Sequence, residues 1–307
     1  NKYGGNGNLE AMEFFKHLNS IMNQRNPRAM IIAEESTSWP GVTKPANEDG
    51  LGFTFKWNMG WMHDFLEYVK LDPYFRKYNH NRLTFGMTYA YSEKFILVLS
   101  HDEVVHLKCS MLGKMPGEYE DKFANLKVAY TFMMGHPGKK LLFMGQDFGQ
   151  WSEWSEKRSL DWYLLGEPEH KGLWAYFKAL LHIYRKYPAC YALDQYPEGF
   201  FWINADDGDR SIYSFVRCSE DGKDNLLFVC NFTPVARPDY MVGVPQAGKY
   251  TLILDSSMKG QHIYTAVHTE CDRQPYAVKY PLPAYGTAVF KFSKHTAKAT
   301  KKAKKHK

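Results

Sequence analysis

Residues 95–103 read Phe-Ile-Leu-Val-Leu-Ser-His-Asp-Glu, and residues 29–36 read Ala-Met-Ile-Ile-Ala-Glu-Glu-Ser. Each stretch is a short apolar run that ends in acidic side chains. Continuous apolar runs of this length are typical of strands buried on both faces of a parallel sheet. Because an ionised carboxylate is costly to bury, acidic residues at the exits of two such strands predict a functional cleft there. Two carboxyl groups that converge on one cleft suit the chemistry of glycosidic bonds.

Helical and strand patterns alternate through the first 190 residues. Four strand–helix units in a row predict an α/β fold, half of a (β/α)₈ TIM barrel. Four units cannot close a barrel, and residues 1–7 read like the middle of a loop, so we expect the chain to be truncated at its N-terminus. The predicted strands lie near 29–34, 52–58, 95–102 and 140–145, and the predicted helices near 14–22, 61–69, 123–133 and 173–184.

The pattern changes after Pro188, where five short β-rich runs alternate with turn sequences such as Asp-Asp-Gly-Asp at 206–209. The five predicted strand runs are 201–204, 211–217, 225–232, 249–255 and 287–292. This spacing predicts an antiparallel β-sandwich. The predicted organisation is therefore residues 1–190 as the C-terminal half of a barrel and residues 191–293 as an all-β domain. Residues 294–307 contain seven lysines and no acidic residue, which predicts a disordered tail.

Charge and cysteine content exclude several classes of partner. The net charge of +6 falls to −1 without the seven tail lysines. The rest of the chain has no stripe of basic residues interleaved with aromatic ones, so nucleic-acid binding is not predicted. The five cysteines are scattered without a C-x-x-C motif, which predicts free thiols in a reducing compartment, the cytoplasm. No stretch approaches the roughly twenty apolar residues of a membrane span. Aromatic residues make up 16% of the chain, a composition that suits sugar ligands or a large aromatic core.

Four motifs stand out: Ile-Ala-Glu-Glu-Ser-Thr at 32–37, Lys-Trp-Asn-Met-Gly-Trp-Met-His-Asp at 56–64, Leu-Ser-His-Asp-Glu-Val-Val-His at 99–106 and Lys-Lys-Leu-Leu-Phe-Met-Gly at 139–145. They resemble motifs of the bacterial 1,4-α-glucan (glycogen) branching enzymes of the α-amylase superfamily, and the resemblance runs from Asn1 to about Phe292. It implies a retaining double-displacement reaction that cleaves an α-1,4 bond and transfers the glucan to a 6-hydroxyl group. The implied partner is glycogen or another α-1,4-glucan, and neither an organic cofactor nor a metal is implied.

The resemblance implies roles for three residues. Glu34 matches the acid/base, Asp102 matches the carboxylate that stabilises the transition state, and His101 matches a residue that binds the sugar. Glu35 competes with Glu34, and alternation along a strand predicts that only one of them faces the cleft. The family's nucleophile is an aspartate in an Arg-x-Asp motif, and no such motif precedes Glu34. We therefore expect this chain to carry only part of the site.

Other interpretations of these residues remain open. Glu34 could be a structural ion-pair partner, and Asp102 could simply stabilise His101. His101 and His106 are five residues apart, whereas H-E-x-x-H metal motifs place their ligands four apart, so no metal site is predicted. A related α-glucan hydrolase and a non-catalytic α-glucan-binding protein are the alternative functions.

The chain departs from the family pattern in two places near the cleft. Residues 145–148 read Gly-Gln-Asp-Phe where the family usually has Gly-Asn-Glu-Phe, and Leu107 replaces a usual glycine. Either change could alter contacts with an acceptor sugar. Three tryptophans in the loop that follows could stack on glucan chains or pack within the protein: Trp151, Trp154 and Trp162.

Overall fold

A computed structural model describes residues 1–293, so the predicted disordered tail lies outside the described residues. Four parallel strands form one sheet in the order β1-β2-β3-β4. Their neighbours are in register at Ile32 with Phe55, Lys56 with Phe95, and Ile96 with Lys139. The four strands predicted in this half of the chain are therefore present. They are β1 (Ile32–Ala33), β2 (Phe55–Trp57), β3 (Phe95–Leu99) and β4 (Lys139–Leu142).

Helices connect and cover these strands. Asn58 begins the helix after β2 by accepting a hydrogen bond from the Trp61 amide (2.9 Å), as an N-cap asparagine commonly does. Between β1 and β2 there is a loop with one short 3₁₀ turn in place of a full helix. The α-helices are α1 (Leu9–Arg25), α2 (Met59–Lys70), α3 (Pro73–Arg76), α4 (Asn81–Phe85), α5 (Met111–Lys114), α6 (Tyr119–Gly135) and α7 (Pro168–Lys186). No helix within residues 1–293 is long and apolar enough to cross a membrane.

The first strand differs from its prediction as a strand buried on both faces. It is two residues long, and Ile32 is 41% exposed while Met30 just before it is 67% exposed. The physical reason is that β1 lies at the edge of the sheet, where β2 is its one hydrogen-bonded neighbour within the described residues. The apolar stripe of α1 is likewise exposed at Phe14 and Ile21.

The second half of the described chain is all β. A six-stranded antiparallel sheet in the order β10-β9-β12-β7-β6-β5 faces a two-stranded sheet of β8 and β11. The five predicted strand runs are present, but β8, β10 and β11 were missed. Pro238 in β8 and Pro281 in β11 weaken the strand pattern, and β10 is short and largely exposed. The strands are β5 (Phe200–Asn204), β6 (Ile212–Arg217), β7 (Asn225–Asn231), β8 (Arg237–Val244), β9 (Lys249–Asp255), β10 (His262–Thr265), β11 (Tyr276–Leu282) and β12 (Thr287–Phe292).

One hydrophobic core joins the two halves, and α6 lies at its centre. Phe132 of α6 makes edge-to-face ring contacts with Tyr213 (5.5 Å) and Phe215 (5.7 Å) of β6. Such aromatic pairs contribute about 0.5–1.5 kcal/mol beyond the area they bury. The same core continues into α2, β3 and α7. The all-β half therefore packs directly on the helices that cover the parallel sheet.

A buried ion-pair network crosses this junction. The Arg217 guanidinium at the end of β6 is fully buried and donates to Asp194 Oδ1 (2.7 Å), to the Gly135 carbonyl (2.9 Å) and to the Gly199 carbonyl (3.2 Å). Lys139 of β4 donates to the other oxygen of Asp194 (2.9 Å). Burial raises the pKa of Asp194, but the neighbouring positive charges outweigh burial and hold the pKa below its usual value. Asp194 therefore stays ionised and links the parallel sheet to the all-β half.

We predict that Arg217→Met lowers the free energy of unfolding by about 3–5 kcal/mol, because it removes the donors and leaves a buried carboxylate with less compensating charge. Urea denaturation measures the change. Arg273→Met is the matched control, since the Arg273 side chain is 90% exposed and lies 3.7 Å from Asp206; its effect should stay below about 0.5 kcal/mol. Equal midpoints for the two variants would contradict the importance of the buried network.

Candidate active site

The candidate residues lie at one edge of the parallel sheet. Glu34 directly follows β1, and His101 and Asp102 follow β3 after Ser100. Because parallel strands point the same way, their carboxyl ends meet at the same edge. β2 separates β1 from β3, so these two strands are roughly 10 Å apart at the usual strand spacing. The fold thus brings the two predicted carboxylates to one edge.

Glu34 is exposed and lines a cleft of about 750 Å³. Within the described residues, its carboxylate accepts no hydrogen bond and lies in no ion pair. The cleft is bounded by α1, by the exit of β1 and by the loop that follows β1. Its apolar walls come from Met12, Phe15, Ile32, Trp39, Pro40, Val42, Leu51 and Phe53.

Glu35, the rival of Glu34, lines the same cleft, contrary to the expectation that only one of the two would. It differs from Glu34 in that its own loop holds it. Its Oε1 accepts a hydrogen bond from the Thr37 amide (2.7 Å). Hydrogen bonds from the Thr37 side chain and backbone, together with the positive charge of Lys56, lower the pKa of Glu35. A general acid that works near neutral pH needs the opposite shift. Glu35 is therefore suited to holding the loop and not to donating a proton.

Two buried charged residues that sequence reasoning missed fix the loop after β1. Lys56 of β2 is buried and donates to the Thr37 carbonyl (2.9 Å); burial lowers its pKa. Glu93 is buried next to the start of β3 and accepts hydrogen bonds from the Val42 amide (2.9 Å) and from the amide (2.7 Å) and hydroxyl of Thr43. The sequence feature that could have identified Lys56 and Glu93 is a charged residue inside or next to an apolar strand.

Asp102 and His101 lie on a short 3₁₀ helix that follows β3 (His101–Val104). The Asp102 Oδ1 is 3.3 Å from His101 Nε2, and the two side chains are 46% and 48% exposed. The His101 ring also lies 5.9 Å from the Phe143 ring. Both groups are accessible to a ligand, and their contact also agrees with the interpretation of Asp102 as a partner of His101.

Glu103 has a structural role that its position beside Asp102 concealed. Its side chain is buried and accepts a hydrogen bond from the Ser100 amide, while the Ser100 hydroxyl accepts one from the Asp102 amide (3.3 Å). This reciprocal pair is a capping box, and its Ser-x-x-Glu signature at 100–103 was readable in the sequence. It fixes the backbone that carries His101 and Asp102.

The loop after β4 contributes aromatic surface beside this edge. Trp151 and Trp162 are exposed, and Trp162 stacks on Phe148 (5.3 Å). Trp154 instead packs edge-to-face on Phe143 (5.1 Å) and donates its amide to Val104. Trp151 and Trp162 are therefore available for ring stacking, whereas Trp154 serves packing.

The two residues that depart from the family pattern after β4 lie deeper. Gln146 is fully buried and its side-chain oxygen accepts a hydrogen bond from the Met111 amide (2.9 Å). Burial raises the pKa of Asp147. Gln146 thus connects the exit of β4 to α5. No group of three or more His, Cys, Asp or Glu side chains within residues 1–293 is placed to hold a metal ion, and His106 joins no such cluster.

Comparison with known proteins agrees with the motifs. Residues 202–293 match the family "Alpha amylase, C-terminal all-beta domain". The chain is 59% identical over 300 residues to a 1,4-alpha-glucan branching enzyme of Butyrivibrio fibrisolvens. The aligned region covers 95% of this chain and 47% of the relative. It is 48% identical over 301 residues to the enzyme of that name from Clostridium perfringens, covering 95% of this chain and 46% of the relative. The chain thus spans about half the length of the curated relatives it matches, and the predicted resemblance is confirmed.

Solved structures support the fold. The chain superimposes on an alpha-amylase from H. orenii with a TM-score of 0.62 at 14% identity, covering 92% of this chain and 57% of that one. It superimposes on AmyP, crystallised with maltose, with a TM-score of 0.63 at 11% identity, covering 93% and 63%. These likenesses show an α-amylase-like fold with a C-terminal all-β part.

We predict that Glu103→Ala lowers the free energy of unfolding by about 1–3 kcal/mol, since the buried Ser100 amide loses its acceptor. Urea denaturation followed by circular dichroism measures it. Glu156→Ala, at an exposed position of the loop after β4, is the control and should change stability by less than about 0.5 kcal/mol. A Glu103→Ala variant as stable as the control would show that the capping box does not hold this segment.

Proposed function

Because the chain is similar to 1,4-α-glucan branching enzymes over 95% of its length, we propose that it forms the C-terminal part of such an enzyme. In this proposal, residues 1–190 are the C-terminal half of a (β/α)₈ barrel and residues 191–293 are an antiparallel β-sandwich domain that shares a hydrophobic core with it. The observation that carries the proposal is the pair of accessible carboxylates, Glu34 and Asp102, at one carboxyl edge of a parallel sheet in a chain of this similarity. The setting we propose is the cytoplasm.

The first chemical step breaks an α-1,4 bond of a glucan. A nucleophilic aspartate, supplied by the part of the relatives' length that this chain does not span, attacks the anomeric carbon and forms a glucosyl ester. Glu34 gives its proton to the departing glycosidic oxygen, which leaves as the hydroxyl group of the shortened chain. The exposed position of Glu34 in the 750 Å³ cleft supports this role, because the leaving sugar can reach it.

The second step transfers the glucan. The Glu34 carboxylate takes the proton from the 6-hydroxyl of an acceptor chain. The acceptor oxygen attacks the anomeric carbon of the glucosyl ester, and the bond from that carbon to the aspartate oxygen breaks, which releases the nucleophile as a carboxylate. The bond formed is an α-1,6 branch, and Glu34 returns to its protonated form. The preference for an acceptor hydroxyl over water rests on the similarity to branching enzymes and not on a residue of this edge.

In this proposal, Asp102 and His101 act on the sugar ring whose anomeric carbon reacts in both steps. Positive charge develops on the ring in each transition state, and the Asp102 carboxylate stabilises it electrostatically. The His101 ring, half exposed beside Asp102, donates a hydrogen bond to a sugar hydroxyl. The capping box of Ser100 and Glu103 keeps both groups in place before the substrate arrives.

The test joins this chain to a complementary half. We expect the 307-residue chain alone to form no α-1,6 branches on amylose, since its residues include no Arg-x-Asp motif before Glu34. Fused behind the N-terminal half of the Butyrivibrio fibrisolvens relative, it should yield branches, measured after debranching by chain-length analysis. New reducing ends without branches would indicate a hydrolase. Glucan binding without turnover by a folded fusion would indicate a binding protein, and either outcome would reject the proposal.

In that fusion, Glu34→Gln should lower kcat by about 10²–10⁴-fold, because it removes the transferable proton and keeps the shape. Glu35→Gln is the matched control and should cost less than about ten-fold, since that carboxylate holds its loop through Thr37. Branch formation at saturating amylose measures both. The reverse order of the two losses would assign the acid/base to Glu35.

Asp102→Asn is nearly isosteric, so glucan affinity and melting temperature should survive while turnover falls. Loss of one preorganised electrostatic group typically costs roughly 3–4 kcal/mol in the transition state. We would measure kcat, maltoheptaose affinity and melting temperature on the same fusion variant. A melting temperature and an affinity that fall in step with kcat would instead assign Asp102 to the stabilisation of His101.

A further inference from the structure

The loop of residues 105–110, which follows the His101–Asp102 segment, has an unusual backbone. His106, Leu107 and Cys109 have φ values of 55°, 65° and 65°. Residues with a Cβ atom rarely adopt this left-handed region, and such conformations persist where surrounding contacts fix them. The Leu107 side chain is 96% exposed, so its own packing does not fix the loop. Contacts from elsewhere must do so.

Glu153, from the loop after β4, makes the first set of these contacts. Its two carboxylate oxygens accept hydrogen bonds from the amides of Leu107 (3.1 Å) and Cys109 (2.7 Å). The hydrogen bond from the Cys109 backbone is the main cause that lowers the pKa of Glu153. The carboxylate therefore stays charged and spans the left-handed turn.

Lys114 of α5 makes the second set of contacts, which go to backbone carbonyls where those of Glu153 go to backbone amides. Its ammonium donates to the carbonyls of Glu103 (2.6 Å), Lys108 and Cys109 (2.6 Å). An ammonium has three protons, so each can go to one carbonyl. Burial of the ammonium lowers the pKa of Lys114 to about 8. One of its acceptors, Glu103, belongs to the capping box that fixes His101 and Asp102.

We propose that Lys114 and Glu153 are positioning residues that together clamp loop 105–110 in its left-handed conformation against the His101–Asp102 segment. The clamp sets the side chains that line a cleft of about 460 Å³, among them His101, His106 and Leu107. The meaning of this clamp for glucan turnover rests on the proposed function, whereas the clamp itself is a property of the loop. Its action is indirect, since neither Lys114 nor Glu153 is assigned a contact with the reacting atoms.

Hydrogen exchange of the 307-residue chain, followed by mass spectrometry, tests the clamp without requiring catalysis. Glu153→Gln should accelerate exchange in peptides covering 105–110 by about ten-fold, since the amides of Leu107 and Cys109 lose a charged acceptor. Lys114→Met should do the same, although Lys114 binds carbonyls of this loop and none of its amides. Lys114→Arg keeps the charge and should restore most of the protection.

Matched controls separate local from global opening. Lys108→Met and Glu156→Gln change exposed charges nearby and should leave exchange in 105–110 within about two-fold of the parent. Peptides from the buried helix α6 report global unfolding. Unchanged exchange of 105–110 in both Lys114→Met and Glu153→Gln would overturn the proposal, as would equal acceleration in α6.

In the active fusion, the same two variants should lower kcat more than they change KM, because the loop positions His101 and Asp102. Loss of loop protection with kcat unchanged would overturn the positioning role. A fusion without branching activity would reject the proposed function and leave the exchange result to decide on the clamp.

Discussion

The parallel pairing of β1, β2, β3 and β4 is the constraint on which the candidate site depends. Because all four strands run the same way, the residues that follow them collect at one edge, although the chain places Glu34 and Asp102 sixty-eight positions apart. Helix α6 and the buried Arg217–Asp194 pair then fix the opposite side of this layer to the all-β half. The candidate site is built from loops whose ends are held by this packed layer of strands and helices.

The sequence pattern predicted best the strands that other elements cover on both faces. β3 is covered on both faces, and its apolar run from Phe95 to Leu99 was read correctly. β1 carries an equally apolar run, yet Ile32 is exposed because composition does not reveal whether a strand has one neighbour or two. β8 and β11 were missed because each contains a proline, which weakens the strand pattern but is tolerated in a small two-stranded sheet. A local sequence pattern therefore predicts whether a segment is a helix or a strand better than it predicts which strands lie beside that segment.

The site was predictable to the extent that its chemistry is written in motifs. The position of Glu34 and Asp102 at the ends of apolar runs predicted that both lie at one edge of the sheet, and their roles remain the ones that the resemblance implies. The contacts of Lys56, Lys114 and Glu153 could not be found in this way, because each of these side chains binds backbone atoms of a loop. A carbonyl or an amide has no residue identity, so contacts of this kind leave no pairwise signal in the chain.

The two acidic pairs, Glu34 with Glu35 and Asp102 with Glu103, differ in whether the carboxylate binds the local backbone. Alternation along a strand was expected to separate Glu34 from Glu35, but both lie beyond the end of β1, where alternation no longer applies. Local backbone donors separate them instead. The Thr37 amide engages Glu35, and the Ser100 amide engages Glu103. In each pair one carboxylate satisfies the turn that ends the strand, which leaves Glu34 exposed in its cleft and Asp102 half exposed beside His101. A turn that meets its hydrogen-bonding needs with one acidic residue can therefore present the other to a substrate at a fixed position.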